Sequence, residues 1–165
     1  MLSCKYNDPT QITMFNNILA PIDGSDTSLK ALKLAAKLAD QNNAKLHIIS
    51  AAEPLPPLAA QAGRGAPAYM GNYQQDLHES LKEIQETQIT KLREKHPDLE
   101  ITAKVIDGRA ATVIQEQRKN KDLIIMGHRG RGGVLSWVLG SVAKQIVDTS
   151  RIPVLIVKDE EMAPE

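Results

Sequence analysis

Short apolar runs alternate along this chain with longer segments in which apolar residues recur every three or four positions. The short runs are rich in Ile, Val and Leu, which is typical of strands buried on both faces of a sheet. The longer segments have the periodicity of amphipathic helices, as in the stripe of Leu32, Ala35, Ala36 and Ala39. The pattern predicts five strands, at 18–22, 45–52, 99–106, 122–126 and 152–157. It also predicts four helices: one that Ser25 or Asp26 can cap and that carries this stripe, and three others at about 74–95, 110–117 and 140–148.

The alternation of strands and helices predicts an α/β fold with a doubly wound, five-stranded parallel sheet and helices on both faces. Right-handed crossovers give the strand order 3-2-1-4-5 most simply. In that order strands one and four are neighbours at the switch point, where ligands bind in such sheets. The turn at Asp23 and the loop from Gly127 are therefore expected to face one crevice, although they are about a hundred residues apart in the sequence.

The segment 127–141 is the strongest functional signal, and it reads Gly-His-Arg-Gly-Arg-Gly-Gly-Val-Leu-Ser-Trp-Val-Leu-Gly-Ser. It follows a buried strand and ends where a helix begins. Glycines let backbone N–H groups approach an anion closely, and a helix N-terminus adds unpaired donors. The segment therefore predicts a phosphate cradle, although glycine-rich loops also serve as plain turns.

Several polar residues near this loop each have two alternative roles, one in ligand binding and one in the structure of the loop. Arg129 and Arg131 can pair with phosphate oxygens through the planar guanidinium, or remain solvated loop charges. Ser141 can bond a phosphate or cap its helix. Asp23 can meet a ribose hydroxyl or a metal ion, or stabilise its own turn. His128 is interpreted as a ligand contact rather than a catalyst, because nothing in the sequence supplies a partner to orient it.

Composition narrows the classes of function. The chain has 20 basic and 20 acidic residues and only 3% aromatics, which disfavours nucleic-acid binding. No run holds the roughly 18 apolar residues of a membrane span, and the polar N-terminus lacks the apolar core of a secretion signal. A single cysteine, Cys4, gives no disulfide framework. We therefore expect a cytoplasmic protein without membrane or nucleic-acid partners.

The 165 residues suit one domain, expected at 16–157. Residues 1–15 and 158–165 are predicted to be tails. The segment 53–73 is rich in Pro and Gly and is predicted to be a loop, which would close over a ligand or recruit a partner.

The glycine spacing resembles the mark of the universal stress protein family, in its ATP-binding subgroup. That mark is Gly, two residues, Gly, nine residues, then Gly followed by Ser or Thr, and Gly127, Gly130 and Gly140-Ser141 match it. The resemblance extends over the first strand and its turn, 18–25, and over the closing strand, 152–157. Two features depart from the typical pattern: the strand end at 50–52, where a His-Val-Val type is common, and the long loop after it.

The resemblance implies a fold like that of the adenine-nucleotide alpha-hydrolases and a homodimer, expected to form through strand 152–157. It implies binding of ATP, or of AMP or ADP, with Mg²⁺, a regulatory role in stress responses, and ATP hydrolysis that is slow or absent. Carried over to this sequence, the binding set comprises Pro21, Ile22 and Asp23 at the adenosine end, Ala51 at adenine, Met126, Gly127, His128, Arg129, Gly130 and Gly133 around the ribose and phosphates, and Gly140, Ser141 and Val142 at the phosphates.

Two other functions remain as alternatives. One is a dimeric interaction protein that needs no nucleotide, since the last strand is a sheet edge in the inferred order. The other is an adenylyl-transferring enzyme, which is disfavoured because such enzymes carry Ser-Gly-Gly-x-Asp-Ser after the first strand and this chain has Asp-Gly-Ser-Asp-Thr-Ser at 23–28. The loop also lacks the Gly-Lys-Ser of a Walker motif, so binding without fast turnover fits better.

Overall fold

The computed structural model of the protein describes residues 14–54, 67–130 and 139–158, with the backbone alone for 67–71. The predicted tails lie almost entirely outside these ranges, as do Cys4 and most of the predicted loop 53–73. No helix within these ranges is both long enough and apolar enough to cross a membrane.

The described strands form one parallel sheet in the order β3-β2-β1-β4-β5, which confirms the predicted topology. Every residue of β4 is buried, as expected for a strand covered on both faces. The strands are β1 Asn17–Pro21, β2 Lys45–Ala52, β3 Ile101–Asp107, β4 Leu123–Gly127 and β5 Val154–Val157. The last strand is shorter than predicted because Pro153, which has no N–H to donate, directly precedes it.

Four helices cover the two faces of the sheet: α1 Asp26–Asn42, α2 Pro67–Lys95, α3 Ala110–Gln117 and α4 Ser141–Thr149. One core packs α1 and α2 against the sheet through residues such as Leu32, Leu46 and Leu92. The other core packs α3 and α4 against the opposite face through Ile114 and Ile146. The carboxyl ends of all five strands therefore open at one edge between the two layers.

Helix α2 begins seven residues earlier than the pattern predicted, at Pro67 rather than near Gln74. Proline is well tolerated at the first helical position, because its missing N–H would have no partner there anyway. The prediction of a loop up to residue 73 is therefore wrong over 67–73. This difference matters for function, because it places a helix rather than a loop beside the strand ends.

One expectation from the apolar spacing of α4 is wrong. That spacing predicts that Val142, Ile146 and Val147 face inward, but 45% of Val147 is exposed. The helix buries Ala143 and Ile146, which share one of its faces, and Val142 is partly buried against the same core.

Candidate functional site

A cavity of about 670 Å³ opens at the carboxyl edge of the sheet, where β1 and β4 are neighbours and their loops diverge. It lies between the two helical layers, so both contribute walls. Its lining residues are Pro21, Ile22, Asp23, Ser28, Ile49, Ala51, Glu53, Tyr73, Leu77, Leu81, Ala110, Val113, Ile114, Met126, Gly127, Arg129, Gly130, Gly140, Ser141, Val142 and Ala143. Its position at the switch point confirms the prediction that the Asp23 turn and the Gly127 loop share one crevice.

Asp23 is held at the end of β1 by neighbouring hydroxyl and amide groups. Its Oδ1 accepts hydrogen bonds from the Ser25 N–H at 3.0 Å and from the Ser25 hydroxyl at 2.6 Å. Just before it, the Ile22 N–H donates to the Ile49 carbonyl at 2.8 Å, which extends the pairing with β2. The carboxylate thus has a fixed position on the cavity wall.

The end of β4 and the loop that follows it approach the Asp23 turn closely at two glycines. A Cβ on Gly127 would lie 2.8 Å from the backbone carbonyl carbon of Thr27, and a Cβ on Gly130 would collide with the side-chain oxygen Asp23 Oδ2. The Thr27 hydroxyl also donates to the Arg129 carbonyl at 2.6 Å. Close packing between the two segments that form the cavity therefore accounts for glycine at 127 and favours it at 130.

Three helices, α1, α3 and α4, begin at this edge of the sheet. They differ in whether a side chain accepts from the N–H groups of the first turn. The Ser25 hydroxyl accepts from the Ser28 N–H and caps α1. Glu53 Oε1 accepts from the Ala110 N–H at 3.1 Å and satisfies the start of α3. Helix α4 is preceded by Gly140, which has no side chain to cap it. Its first turn thus retains the amide donors and the positive end of the helix dipole on the cavity wall.

Gly140 itself uses its N–H within the protein. That group donates to the His128 carbonyl at 2.8 Å, and the His128 N–H donates to the Val157 carbonyl at 2.9 Å. The expectation that Gly140 offers its N–H to a phosphate therefore does not hold in this structure. The amides of Ser141 and Val142, which lie in the first turn, are the donors that this helix end can present.

The part of the lining that comes from β2, α2 and α3 is mainly apolar. Tyr73, Leu77 and Leu81 of α2 form one wall, and Ala110 and Val113 belong to the wall that α3 supplies. Ile49 and Ala51, near the end of β2, lie between these helices. The cavity thus combines an apolar slot with a polar end that contains Arg129 and the start of α4.

All but two of the predicted binding residues line this cavity. His128 does not: it is only 2% exposed, and its Nδ1 has no hydrogen-bond partner among the residues that the structure describes. Gly133 and Arg131 lie outside the described residues. Sequence reasoning missed the helical walls and Glu53, because which side chains of α2 and α3 face the strand ends is decided by tertiary packing.

Comparison with known proteins gives this site a family context. The model of the universal stress protein family matches residues 14–158. A universal stress protein of Methanocaldococcus jannaschii is 32% identical to this chain over 149 residues, which cover 88% of this chain and 83% of that protein. The family-model match therefore spans both loops of the cavity.

Solved structures of universal stress proteins share the fold. UspA of Lactobacillus plantarum superposes with a TM-score of 0.75 at 18% identity, covering 86% of this chain and 97% of that one. A universal stress protein in complex with cAMP gives 0.64 at 24%, covering 87% and 97%. The protein of Archaeoglobus fulgidus in complex with dAMP gives 0.58 at 16%, covering 88% and 99%. With the family match and the fold in agreement, the chain belongs to the universal stress protein family.

Proposed function

We propose that this protein binds ATP, or a related adenine nucleotide, in the cavity and acts as a regulatory factor rather than as a fast enzyme. The observation that carries the proposal is the first turn of α4, where Ser141 and Val142 line the cavity together with Arg129 and the N-cap residue, Gly140, has no side chain to cap the helix. Backbone amides at a helix N-terminus together with a guanidinium group form a typical phosphate site. The family members solved with cAMP and dAMP support an adenine nucleotide as the occupant.

The charges of the cavity favour one orientation of the nucleotide. Arg129 lies at the end formed by the glycine loop and α4, whereas Glu53 lines the end beside α3. The Glu53 carboxylate repels phosphates, and it already occupies the first amide of α3. The phosphates therefore belong at α4 and the base in the apolar slot between α2 and α3, with Asp23 at the ribose between them.

In this arrangement we expect Mg²⁺ to bind next to the phosphates. Mg²⁺ is commonly held by one or two carboxylates together with substrate phosphate oxygens. Asp23, whose Oδ2 faces Gly130, is the carboxylate on this side of the cavity. Within the described ranges, no group of three or more His, Cys, Asp or Glu side chains is placed to hold a metal ion by itself.

Slow or undetectable ATP hydrolysis is part of the proposal. Two carboxylates lie on the described cavity lining, and one oxygen of each accepts structural hydrogen bonds. Asp23 Oδ1 accepts from Ser25, and Glu53 Oε1 accepts from Ala110 at the end away from the proposed phosphates. A general base needs to be within reach of the attacking water. Because the proposal gives the other Asp23 oxygen to the ribose and Mg²⁺, no described residue on the lining is left as a dedicated base. The stress-response role and the cytoplasmic location stay predictions.

Titration calorimetry of nucleotide-free protein with ATP and Mg²⁺ tests the binding proposal. We expect one ATP per chain with a dissociation constant in the micromolar range, and phosphate release much slower than ATP exchange in a parallel assay. Absence of binding heat at several hundred micromolar ATP would contradict the proposal. ATP binding accompanied by rapid phosphate release would support the binding site but contradict the regulatory role.

The proposal also includes a homodimer formed through β5. Its support is the edge position of β5 and the exposure of Leu155 on this strand, which is 37%. Leu155→Lys is expected to shift the protein from dimer to monomer in sedimentation velocity, because a charge would be buried in the interface. Leu34→Lys on α1, which replaces a leucine of similar exposure, 36%, is the matched control and should stay dimeric. A dimeric Leu155→Lys variant would argue for another interface.

A further inference from the structure

We infer that α2, from Tyr73 onward, forms the recognition wall for the base. Tyr73 contacts the base, and Gln74 is the positioning residue that holds this wall in place. The inference rests on the proposed nucleotide function and deepens it. It concerns a part of the chain that the glycine motif does not include, and it starts from two neighbouring residues of one helix.

Gln74 ties α2 to the carboxyl ends of two strands. Its Nε2 donates to the Ala52 carbonyl at 3.1 Å and to Asp107 Oδ1 at 2.9 Å. These acceptors terminate β2 and β3, which are neighbours in the sheet. The Gly108 N–H donates to the same Ala52 carbonyl at 3.1 Å, so that one oxygen joins the helix to the turn after β3. Gln74 thereby holds α2 against the strand ends, and His78, whose Nδ1 lies 3.6 Å from the same Asp107 Oδ1, adds a second contact one turn later.

A second glutamine repeats this anchoring farther along the helix. Gln85 is 3% exposed, and its Nε2 donates to the Ser50 hydroxyl and to the Lys104 carbonyl, both at 2.9 Å. Eleven residues separate Gln74 from Gln85, which is about three helical turns, so both lie on the same face of α2. The helix is therefore attached along the seam between β2 and β3 at two points. Leu77 and Leu81 lie between these points and line the cavity.

Tyr73 extends this wall toward the cavity mouth. It lines the cavity and remains 39% exposed, so a large aromatic surface is left for a ligand to cover. An aromatic ring beside aliphatic side chains suits the face of a base, because stacking and apolar burial act together. A phosphate chain gains nothing from such a wall. We therefore expect the wall to contribute to binding of the nucleoside and not of the phosphates.

A comparison of ATP and tripolyphosphate affinities separates the contribution of the base from that of the phosphates. ATP carries a base and tripolyphosphate does not, whereas both reach the phosphate end of the cavity. Tyr73→Ala should weaken ATP binding about tenfold, the effect of losing one base–aromatic contact. Gln74→Glu should weaken it about fivefold, because a carboxylate cannot donate to Ala52 and repels Asp107. Tripolyphosphate affinity should stay within twofold of wild type in both variants.

Gln75→Glu is the matched control for Gln74→Glu. It makes the same chemical change one residue away, on an exposed side chain that donates to Glu79 Oε1 at 3.2 Å and does not line the cavity. It should leave ATP affinity unchanged. Equal losses in Gln74→Glu and Gln75→Glu would show a general charge effect and overturn the positioning role. Equal losses for ATP and tripolyphosphate would overturn base recognition by this wall.

The outcomes also distinguish this inference from the proposed function. Wild-type protein that binds neither probe contradicts the proposed function itself. Wild-type protein that binds ATP while Tyr73→Ala binds it equally well overturns only the recognition wall. Because Tyr73 is part-exposed, its truncation should leave the unfolding temperature close to that of wild type, and thermal unfolding of each variant checks this.

Discussion

Replacing Arg129 with alanine is expected to weaken ATP binding about 10- to 100-fold and to leave adenosine binding nearly unchanged. Hydrogen bonds to a charged group contribute about 1.5–3 kcal/mol, and each 1.4 kcal/mol corresponds to a factor of ten in affinity. Arg129 lines the phosphate end of the cavity, whereas its carbonyl, which accepts from Thr27, is unaffected by the substitution. Calorimetric titration with ATP and with adenosine measures both effects.

Arg151→Ala is the control for this experiment. Arg151 is exposed, lies before β5 and does not line the cavity, so its loss changes the net charge equally without touching the site. We expect its ATP affinity to match that of wild type. Equal losses in the two variants would indicate a long-range charge effect, and a loss of adenosine affinity in Arg129→Ala would place Arg129 at the nucleoside instead of the phosphates.

Gly130→Ala is expected to weaken ATP binding by about tenfold or more. The new methyl group would collide with Asp23 Oδ2, and Asp23 cannot move without breaking its hydrogen bonds to Ser25. Either Asp23 leaves its position or the glycine loop moves away from β1, and both changes disturb the wall that meets the ribose and phosphates. Forcing an extra methyl group into packed surroundings typically costs about 1–3 kcal/mol.

A double-mutant cycle identifies the cause of that loss. Asp23→Ala removes the oxygen that the methyl group meets, so Gly130→Ala should cost much less ATP affinity in the Asp23→Ala background than in wild type. Additive losses would show that the effect of Gly130→Ala arises elsewhere in the loop. The unfolding temperature of Gly130→Ala should fall by only a few degrees, since Gly130 is exposed and outside both hydrophobic cores, and the fall should be smaller in the Asp23→Ala background.

The half of the cavity formed by the glycine loop follows closely from the sequence. Gly127 packs against the Thr27 backbone and Gly130 lies against the Asp23 carboxylate, and these close contacts account for a fixed spacing of glycines in the chain. The strand order follows equally well, because strands buried on both faces have a distinctive apolar pattern. The turn at Asp23, the glycine loop and the predicted strand order were therefore sufficient to predict that Asp23 and Gly130 lie close together.

The half of the cavity lined by α2 and α3, where we propose that the base binds, is much harder to predict from the sequence. Tyr73 and Gln74 follow a segment of Pro and Gly residues, which masked the early start of α2 in the sequence pattern. Glu53 was not singled out, because its role depends on the start of α3, 57 residues away. His128 was misleading for the opposite reason: it lies within the glycine motif, yet the structure buries it away from the cavity. Such contacts depend on packing between elements rather than on local spacing.

A crystal structure of the protein with ATP and Mg²⁺ is the decisive test of nucleotide binding in this cavity. We expect the phosphates within hydrogen-bond distance of the Ser141 and Val142 amides and of Arg129, with the base between Tyr73 and the α3 wall. Phosphates bound beside Glu53 with the base at α4, or a cavity that remains empty at saturating ATP, would contradict it.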